Sequence, residues 1–304
     1  MRMMMIQVLL LISYTVLYSC SGRKDSGARL NGNCFTCDQA PPGTIFCDDF
    51  EGDLALSEKY FEYADAGGKF VLDETAGRNG SRGMKAAFKK GDVDVGALRK
   101  SIGRTPNEYI GKHAASPDQD FDEIYWRIDV KLQEGWQGGG GDKLTRATVM
   151  ANGDWAQGAI GHIWSTNKWY LMVDPASGIT EDGVLKTTRY NDFDNLRWNL
   201  GKAVGTTPIF SDENTGGWFC VEGHMKLNTP GQSDGLFEFW INDELQARTG
   251  DMNWHGNWNS NPDHFQINAV FFENYWNNGA VQDQERYFDN IVISTKRIGC
   301  NCET

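Results

Sequence analysis

Long helical periodicity is missing from this 304-residue sequence, and so is any proline-rich linker or break in composition that would divide it. The first absence excludes helical bundles and folds that alternate strands with crossover helices. The second leaves one large unit. Positive charge is also scarce: 29 Lys and Arg stand against 41 Asp and Glu, a formal charge of −12. So acidic a balance argues against nucleic acid or anionic lipid as the main partner, because either is bound by clustering basic side chains on its phosphates.

What is present begins with Arg2, an apolar run from Met3 to Tyr18 and then Cys20. That run is too short for a comfortable spanning helix and fits a secretory signal over residues 1–19 of the bacterial lipoprotein type, with Cys20 as the lipidated residue. Ordinary secretion is the alternative. Residues 20–33 are rich in Ser, Gly, Lys and Arg and read as a tether; residues 34–304 form the domain. The expected location is the outer membrane or cell surface, otherwise the periplasm or medium, and the expected state is a monomer.

Besides Cys20 the chain has Cys34, Cys37, Cys47, Cys220, Cys300 and Cys302. An even number in an exported chain implies disulfides. Five of the six lie near the domain ends, so terminal segments should be clipped together, with Cys220 taking one partner from that group. A zinc site on Cys34-x-x-Cys37 and Cys300-x-Cys302 is the competing reading.

Alternation dominates the remainder. Ile124, Trp126, Ile128 and Val130 fall on one face of 123–131, with Glu123, Tyr125, Arg127, Asp129 and Lys131 on the other, the pattern of a half-buried strand. Segments 218–227 and 235–242 alternate likewise around "NTPGQSDG", which supplies hairpin chemistry. Further strands are expected at 83–89, 146–151, 158–164, 169–174, 265–272 and 287–294. With 35 glycines and 11 tryptophans, the chain reads as all-β, an antiparallel two-sheet β-sandwich.

Two stretches, "WFCVEGHMKLNTPGQSDGLFEFWINDELQA" (218–247) and "RYFDNIVISTKRIG" (286–299), resemble the late strands of concanavalin A-like jelly rolls. Ahead of them, "YWRIDVKLQEGW" and "GGGGDKLTRA" (within 125–147) are similar to the strand, glycine loop and lysine of polysaccharide lyase family 14, whose members act on alginate- or glucuronan-type polyuronates. Thr145 stands where a proline is usual, and Asp142 where a glycine is. The resemblance implies a jelly roll and Lys143 as the family's lysine. It also implies a structural calcium ion near Asp49, Glu51 and Asp289, with backbone carbonyls completing its oxygens; no organic cofactor is expected.

Eliminative cleavage needs a group that neutralises the uronate carboxylate, a base for the C5 proton and an acid for the leaving oxygen. The candidates are Arg146 or Arg189 with Asn268 on the carboxylate, His162 or Tyr190 as base, Tyr275 as acid and Lys143 on the enolate-like charge. Asn274 is a further substrate contact, and Trp164, Trp240 and Trp276 are stacking platforms. Lys143, Arg146, Lys186, Arg189 and Arg197 would supply local positive charge in an acidic protein. Two rivals remain: a surface lectin that binds glycan without cutting it, and a glycoside hydrolase. The E-x-D-x-x-E pattern of jelly-roll hydrolases is absent, which leaves paired acids on separate strands such as Glu222 and Glu238.

Overall fold

The computed structural model describes residues 37–165, 169–198 and 200–300. The signal, Cys20 with its tether, Cys34 and Cys302 lie outside them. Fifteen strands are found among the described residues: β1 (Thr44–Asp48), β2 (Glu62–Ala64), β3 (Phe70–Asp73), β4 (Gly83–Phe88), β5 (Asp94–Ser101), β6 (Glu123–Leu132), β7 (Asp142–Met150), β8 (Gln157–Ser165), β9 (Leu171–Ser177), β10 (Ala203–Val204), β11 (Trp218–Lys226), β12 (Gly235–Ile241), β13 (Glu244–Met252), β14 (Ala269–Trp276) and β15 (Gln284–Ser294). Two single-turn helices, α1 (Leu56–Lys59) and α2 (Glu108–Gly111), are the only α-helices described.

The strands form two antiparallel sheets. One has eight strands in the order β13-β12-β11-β6-β15-β4-β3, with β1 paired to β15; the other has seven, in the order β10-β9-β8-β7-β14-β5-β2. Sequence neighbours such as β6 and β7 lie in different sheets, as in a jelly-roll sandwich. One continuous core fills the space between, drawing Trp126, Ile128 and Phe237 from the first sheet and Leu144, Ile163 and Phe272 from the second.

Alternation builds this core as expected. Ile124, Trp126, Ile128 and Val130 are all buried against the second sheet. On β11 the same parity puts Gly223 opposite Trp126, whose ring occupies the space a side chain would need: a Cβ there would lie 2.5 Å from Trp126 Cζ2 and 2.9 Å from Ile163 Cδ1.

The polar face of β6 departs from expectation. Arg127 and Asp129 are buried, because the 78–82 turn and the C-terminal tail cover them. Arg127 donates to the Gly299 carbonyl at 3.0 Å, and Asp129 accepts from Arg78 at 3.1 Å and from Asn290 at 2.9 Å. Glu222, on the next strand, accepts the backbone N–H groups of Ile298 and Gly299 at 2.6 and 3.1 Å. The tail is also held by a disulfide between Cys220 and Cys300, and a second joins Cys37 to Cys47. Cys220 does take a terminal partner, and these pairings remove Cys37 and Cys300 from any zinc site.

Strands β7 and β14 begin and end four residues away from their expected positions at one or both ends. Asp142 already belongs to β7 because Arg286 pairs with its buried carboxylate. Residues 265–268 precede β14.

Substituting Gly223 by alanine forces Trp126 to move, and overpacking of that kind costs about 1–3 kcal/mol. Urea unfolding of Gly223→Ala should show a lowered midpoint with an unchanged slope.

Candidate active site

The outer face of the seven-stranded sheet carries the site, and register decides which side chains meet there. One row runs across five strands through the pairs Asp174–His162, His162–Arg146, Arg146–Phe271 and Phe271–Arg99. The next row runs through Trp164–Lys143, Lys143–Tyr275 and Tyr275–Asp94.

Lys143 and Arg146 are three residues apart, so a regular strand would point them to opposite faces. A bulge prevents that. On β7, Lys143 pairs with Trp164 and Thr145 with the adjacent Ile163, so the strand holds one extra residue, Leu144, which drops into the core. An inserted residue resets the alternation, and both cations face the same side. Thr145, where a proline was expected, donates its hydroxyl to the Phe271 carbonyl at 2.7 Å.

Arg146 is fully buried and organises its neighbours. Its Nη2 donates to Glu273 Oε1 at 2.7 Å and to the Tyr190 hydroxyl; its Nη1 approaches His162 Nε2 at 3.3 Å and Asn191 Oδ1 at 3.4 Å. The rings of Phe271 and Tyr190 lie 5.0 and 5.1 Å from the guanidinium carbon. Arg146 therefore positions other groups and has no surface to offer a substrate. Its acidic partner is Glu273, which alternation on "FFENYW" places on the face of Tyr275; Asp142 pairs with Arg286 instead.

A guanidinium can only donate, so the His162 Nε2 that faces it accepts and the ring proton sits on Nδ1. Burial, then the charges of Arg146 and Lys143, pushes the His162 pKa well below its ordinary value, and the ring is neutral at pH 7. Burial also lowers Lys143, with Arg146 reinforcing the shift and Glu273 opposing it. For Tyr190, burial raises the pKa; Arg146 counters that effect and Glu273 adds to it.

Tyr190 reaches the sheet from the loop after β9. Asp192 locks that loop by accepting from Thr188 N at 2.9 Å, Thr188 Oγ1 at 3.0 Å and Asn195 Nδ2 at 3.0 Å. Asn191, at φ 52°, donates its N–H to Gln157 Oε1 at 3.0 Å. The dense polar run 189–192 thus divides its work between fixing a turn and delivering Tyr190.

Two adjoining cavities flank Lys143, which lines both. One, of about 100 Å³, is bordered by Lys143, Tyr190, Asn191, Glu273, Tyr275 and Arg99. The other, of about 210 Å³, is bordered by Lys143, His162, Asp174, Lys202 and the rings of Trp164, Trp198 and Phe193. The Lys143 ammonium stands 4.5 Å from the centre of the Tyr275 ring.

Lys143, His162, Tyr190, Tyr275 and Trp164 are therefore brought together. Several other expected contacts are not. Asn268 holds backbone: its Oδ1 accepts from Met150 N at 2.8 Å and its Nδ2 donates to the Met150 and Arg104 carbonyls at 3.0 and 3.1 Å. Asn274 points into the interior and donates to the Gly96 carbonyl at 3.4 Å. Trp276 is buried against Trp136 with ring centroids 5.8 Å apart, since alternation on β14 assigns even-numbered residues to the core. Trp240 belongs to the other sheet, beside Tyr125 and His224. Arg189 is exposed and borders neither cavity. The glycines of "GGGGDKLTR" close over Trp276, whose Nε1 donates to the Gly140 carbonyl at 3.2 Å; a Cβ on Gly138 would meet that ring at 2.6 Å. They support the floor without lining it.

The acids named for hydrolysis lie on the eight-stranded sheet, Glu222 holding the tail and Glu238 held by His224 at 2.9 Å. Of the proposed calcium ligands, Asp49 accepts from Cys37 N at 2.9 Å, turned toward the N-terminal disulfide. Glu51 and Asp289 converge on the 78–82 turn, accepting Arg82 N at 3.0 Å and Arg78 N at 2.8 Å. Burial, with Asp129 and Glu51 nearby, pushes Asp289 up to about 7. Asp49 is thus turned away from the other two, whose carboxylates lie at one turn and each accept a backbone N–H.

No family model matches the chain, and no curated protein sequence does. Solved structures do. The endo-β-1,4-glucuronan lyase of the fungus Trichoderma reesei superposes with a TM-score of 0.51 at 14% identity, covering 83% of this chain and 96% of that one. The marine PL-14 alginate lyase of Aplysia kurodai gives 0.49 at 13% identity over 75% and 88% of the two chains. An alginate lyase from Chlorella virus gives 0.49 at 15% over 77% and 99%. The chain thus has the jelly-roll sandwich fold of the glucuronan lyase.

Asn268→Ala should lower stability by about 1–3 kcal/mol in urea unfolding, the cost of leaving buried backbone groups unpaired. For pH, the folded state holds His162 well below and His255 at about 4, whereas the unfolded chain binds those protons near the ordinary histidine value of about 6.5. At these two sites the unfolded state carries more protons, so their contribution to stability is full above that value and is lost as pH drops toward 4, while the raised carboxyls of Asp289 and Asp142 contribute in the opposite sense over the same window. His162→Gln should flatten this acid limb in denaturant titrations.

Proposed function

We propose that this protein is an exported polysaccharide lyase that cleaves uronate-containing glycan by β-elimination. The observation that carries the reading is the convergence of Lys143, Tyr190 and Tyr275 on one cavity, with neutral His162 beside Lys143 in the adjoining one. The fold shared with a glucuronan lyase supports it.

Lys143, which lines both cavities, faces the uronate carboxylate from the smaller one and stabilises the charge that builds there as C5 loses its proton, while His162 stays neutral beside Arg146. Tyr190, a phenol at rest because burial raises its pKa, first gives its own proton to solvent and then takes the C5 proton, its oxygen held by Arg146 throughout. The C5–H electron pair forms the C4–C5 double bond, the C4–O bond breaks, and the leaving oxygen takes the proton of the Tyr275 hydroxyl. Solvent returns Tyr275 to its starting form, which Tyr190 already has. Arg146 and Glu273 act as positioning residues throughout, and no step runs through a metal.

A calcium ion, if bound, sits between Glu51 and Asp289 at the 78–82 turn and serves stability. Export follows from the apolar run before Cys20, and a lipid on Cys20 ties the protein to the outer membrane. The residues named for the rival readings are mostly elsewhere: of the three expected tryptophans only Trp164 borders the cavities, and Glu222 and Glu238 lie on the other sheet.

Incubation with polyuronates should produce the ultraviolet absorbance of unsaturated ends. Lys143→Ala, Tyr190→Phe and Tyr275→Phe should each lower kcat by about a hundredfold or more. Reducing ends without that absorbance would mean hydrolysis, and binding without either signal would mean a lectin. Calcium should raise the melting midpoint of the parent protein and leave that of Asp289→Asn unmoved; no shift in either removes the ion from the account.

A further inference from the structure

The larger cavity beside Lys143 contains a group that elimination does not use. Asp174, on β9, is fully buried, and its Oδ1 accepts no hydrogen bond from any described residue. Its Oδ2 is 3.0 Å from Lys202 Nζ, which is half-exposed at the rim. Register makes Asp174 the direct cross-strand neighbour of His162, so it looks into the same hollow as the proposed reaction centre.

A buried carboxylate oxygen without a donor is costly unless something supplies one. The walls leave it unanswered: Trp164, Trp198 and Phe193 offer ring faces, Lys202 stands at the other oxygen, and neither Lys143, Asn277 nor the His162 ring N–H hydrogen-bonds Oδ1. A ligand that enters the cavity can bring the donor. Sugar hydroxyls are such donors, and aromatic faces are the surfaces on which the C–H side of a sugar ring packs. A second uronate has hydroxyls too, but it would also bring a carboxylate that meets the like charge of Asp174 in a poorly solvated hollow, which a neutral sugar does not.

We infer that the Asp174 cavity is a subsite for an uncharged sugar residue next to the cleaved uronate, so that the substrate is a glycan in which uronate and neutral sugars are interspersed. This rests on the elimination reading above and deepens it. Asp174 orients that neighbour through one of its hydroxyls, Lys202 holds the carboxylate in place, and the tryptophans exclude water around the ring. Lys143, shared by both cavities, marks the boundary between the charged and uncharged positions.

The test compares two polymers of one linkage: a fully C6-oxidised β-1,4-glucan, which is all glucuronate, and a partly oxidised one with glucose and glucuronate mixed. The parent protein should release unsaturated ends faster from the mixed polymer, and mass spectrometry should find neutral residues adjoining the cut. In Asp174→Ala the ratio of kcat/KM for mixed over uniform polymer should fall roughly tenfold or more, the size of one hydrogen bond to a charged group; Asp174→Asn, which retains an acceptor, should fall less. Faster cleavage of the uniform polymer, or an unchanged ratio in Asp174→Ala, overturns the inference. Should neither polymer yield unsaturated ends, the lyase reading fails and calorimetry with an uncharged β-1,4-glucan oligosaccharide decides the subsite separately. Binding weakened by Asp174→Ala sustains it, and no binding to the parent protein removes it. Near-ultraviolet circular dichroism of each variant checks that the aromatic packing is intact.

Discussion

The site depends on a guanidinium sealed inside an acidic protein. Arg146 is tolerable there because both terminal nitrogens of its guanidinium are answered: by a carboxylate from β14, a phenol and an amide from the loop after β9, and an imidazole from β8, with aromatic faces around them. Removing one of a buried, hydrogen-bonded pair of opposite charges leaves the other uncompensated, so the arrangement is cooperative. It also sets the chemistry around it. The same cation depresses His162, opposes the burial-driven rise of Tyr190, and with desolvation lowers Lys143. Local charge within a few ångströms outweighs the protein's overall negative field, which salt screens beyond about 8 Å.

The two faces of the sandwich have diverged in use. The outer side of the eight-stranded sheet is occupied by the chain itself: the C-terminal tail on Glu222, the 78–82 turn on Asp129 and Asp289, and a disulfide at Cys220. The outer side of the seven-stranded sheet has the cavities. Aromatic residues follow this division, with Trp276 and Trp126 in the interior, Trp240 under Arg297 on the covered side, and Trp164 and Trp198 at the open one.

The fold was legible because alternation is a local property: apolar positions at a period of two mark a sheet face without knowledge of what it packs on. Short strands escaped that reading. β2 and β3 have three or four residues, too few for a period to show, and β13 mixes exposed and buried positions around a register shift. The site was half legible. Lys143, His162, Tyr190, Tyr275 and Trp164 are chemically distinctive and lie where parity or the polar loop put them. Asn268, Asn274, Trp240 and Trp276 looked equally suitable by residue type, and only three-dimensional pairing reveals that two hold backbone and two pack on protein. Glu273 shares the face of Tyr275 in "FFENYW", but nothing local pairs it with Arg146, and nothing in the sequence marks Asp174 as facing a cavity.

The extra residue on β7 carries a lesson about spacing. In an uninterrupted ladder, groups that must act together sit an even number of positions apart; here the cooperating cations are an odd number apart, and Leu144 absorbs the difference. Deleting that one residue would leave composition and charge almost untouched, yet it would send one of the two cations into the hydrocarbon interior. A comparison of chains that tracks which residue types are present would rate such a deletion as trivial, whereas one that tracks phase along the strand would recognise the loss of the whole centre.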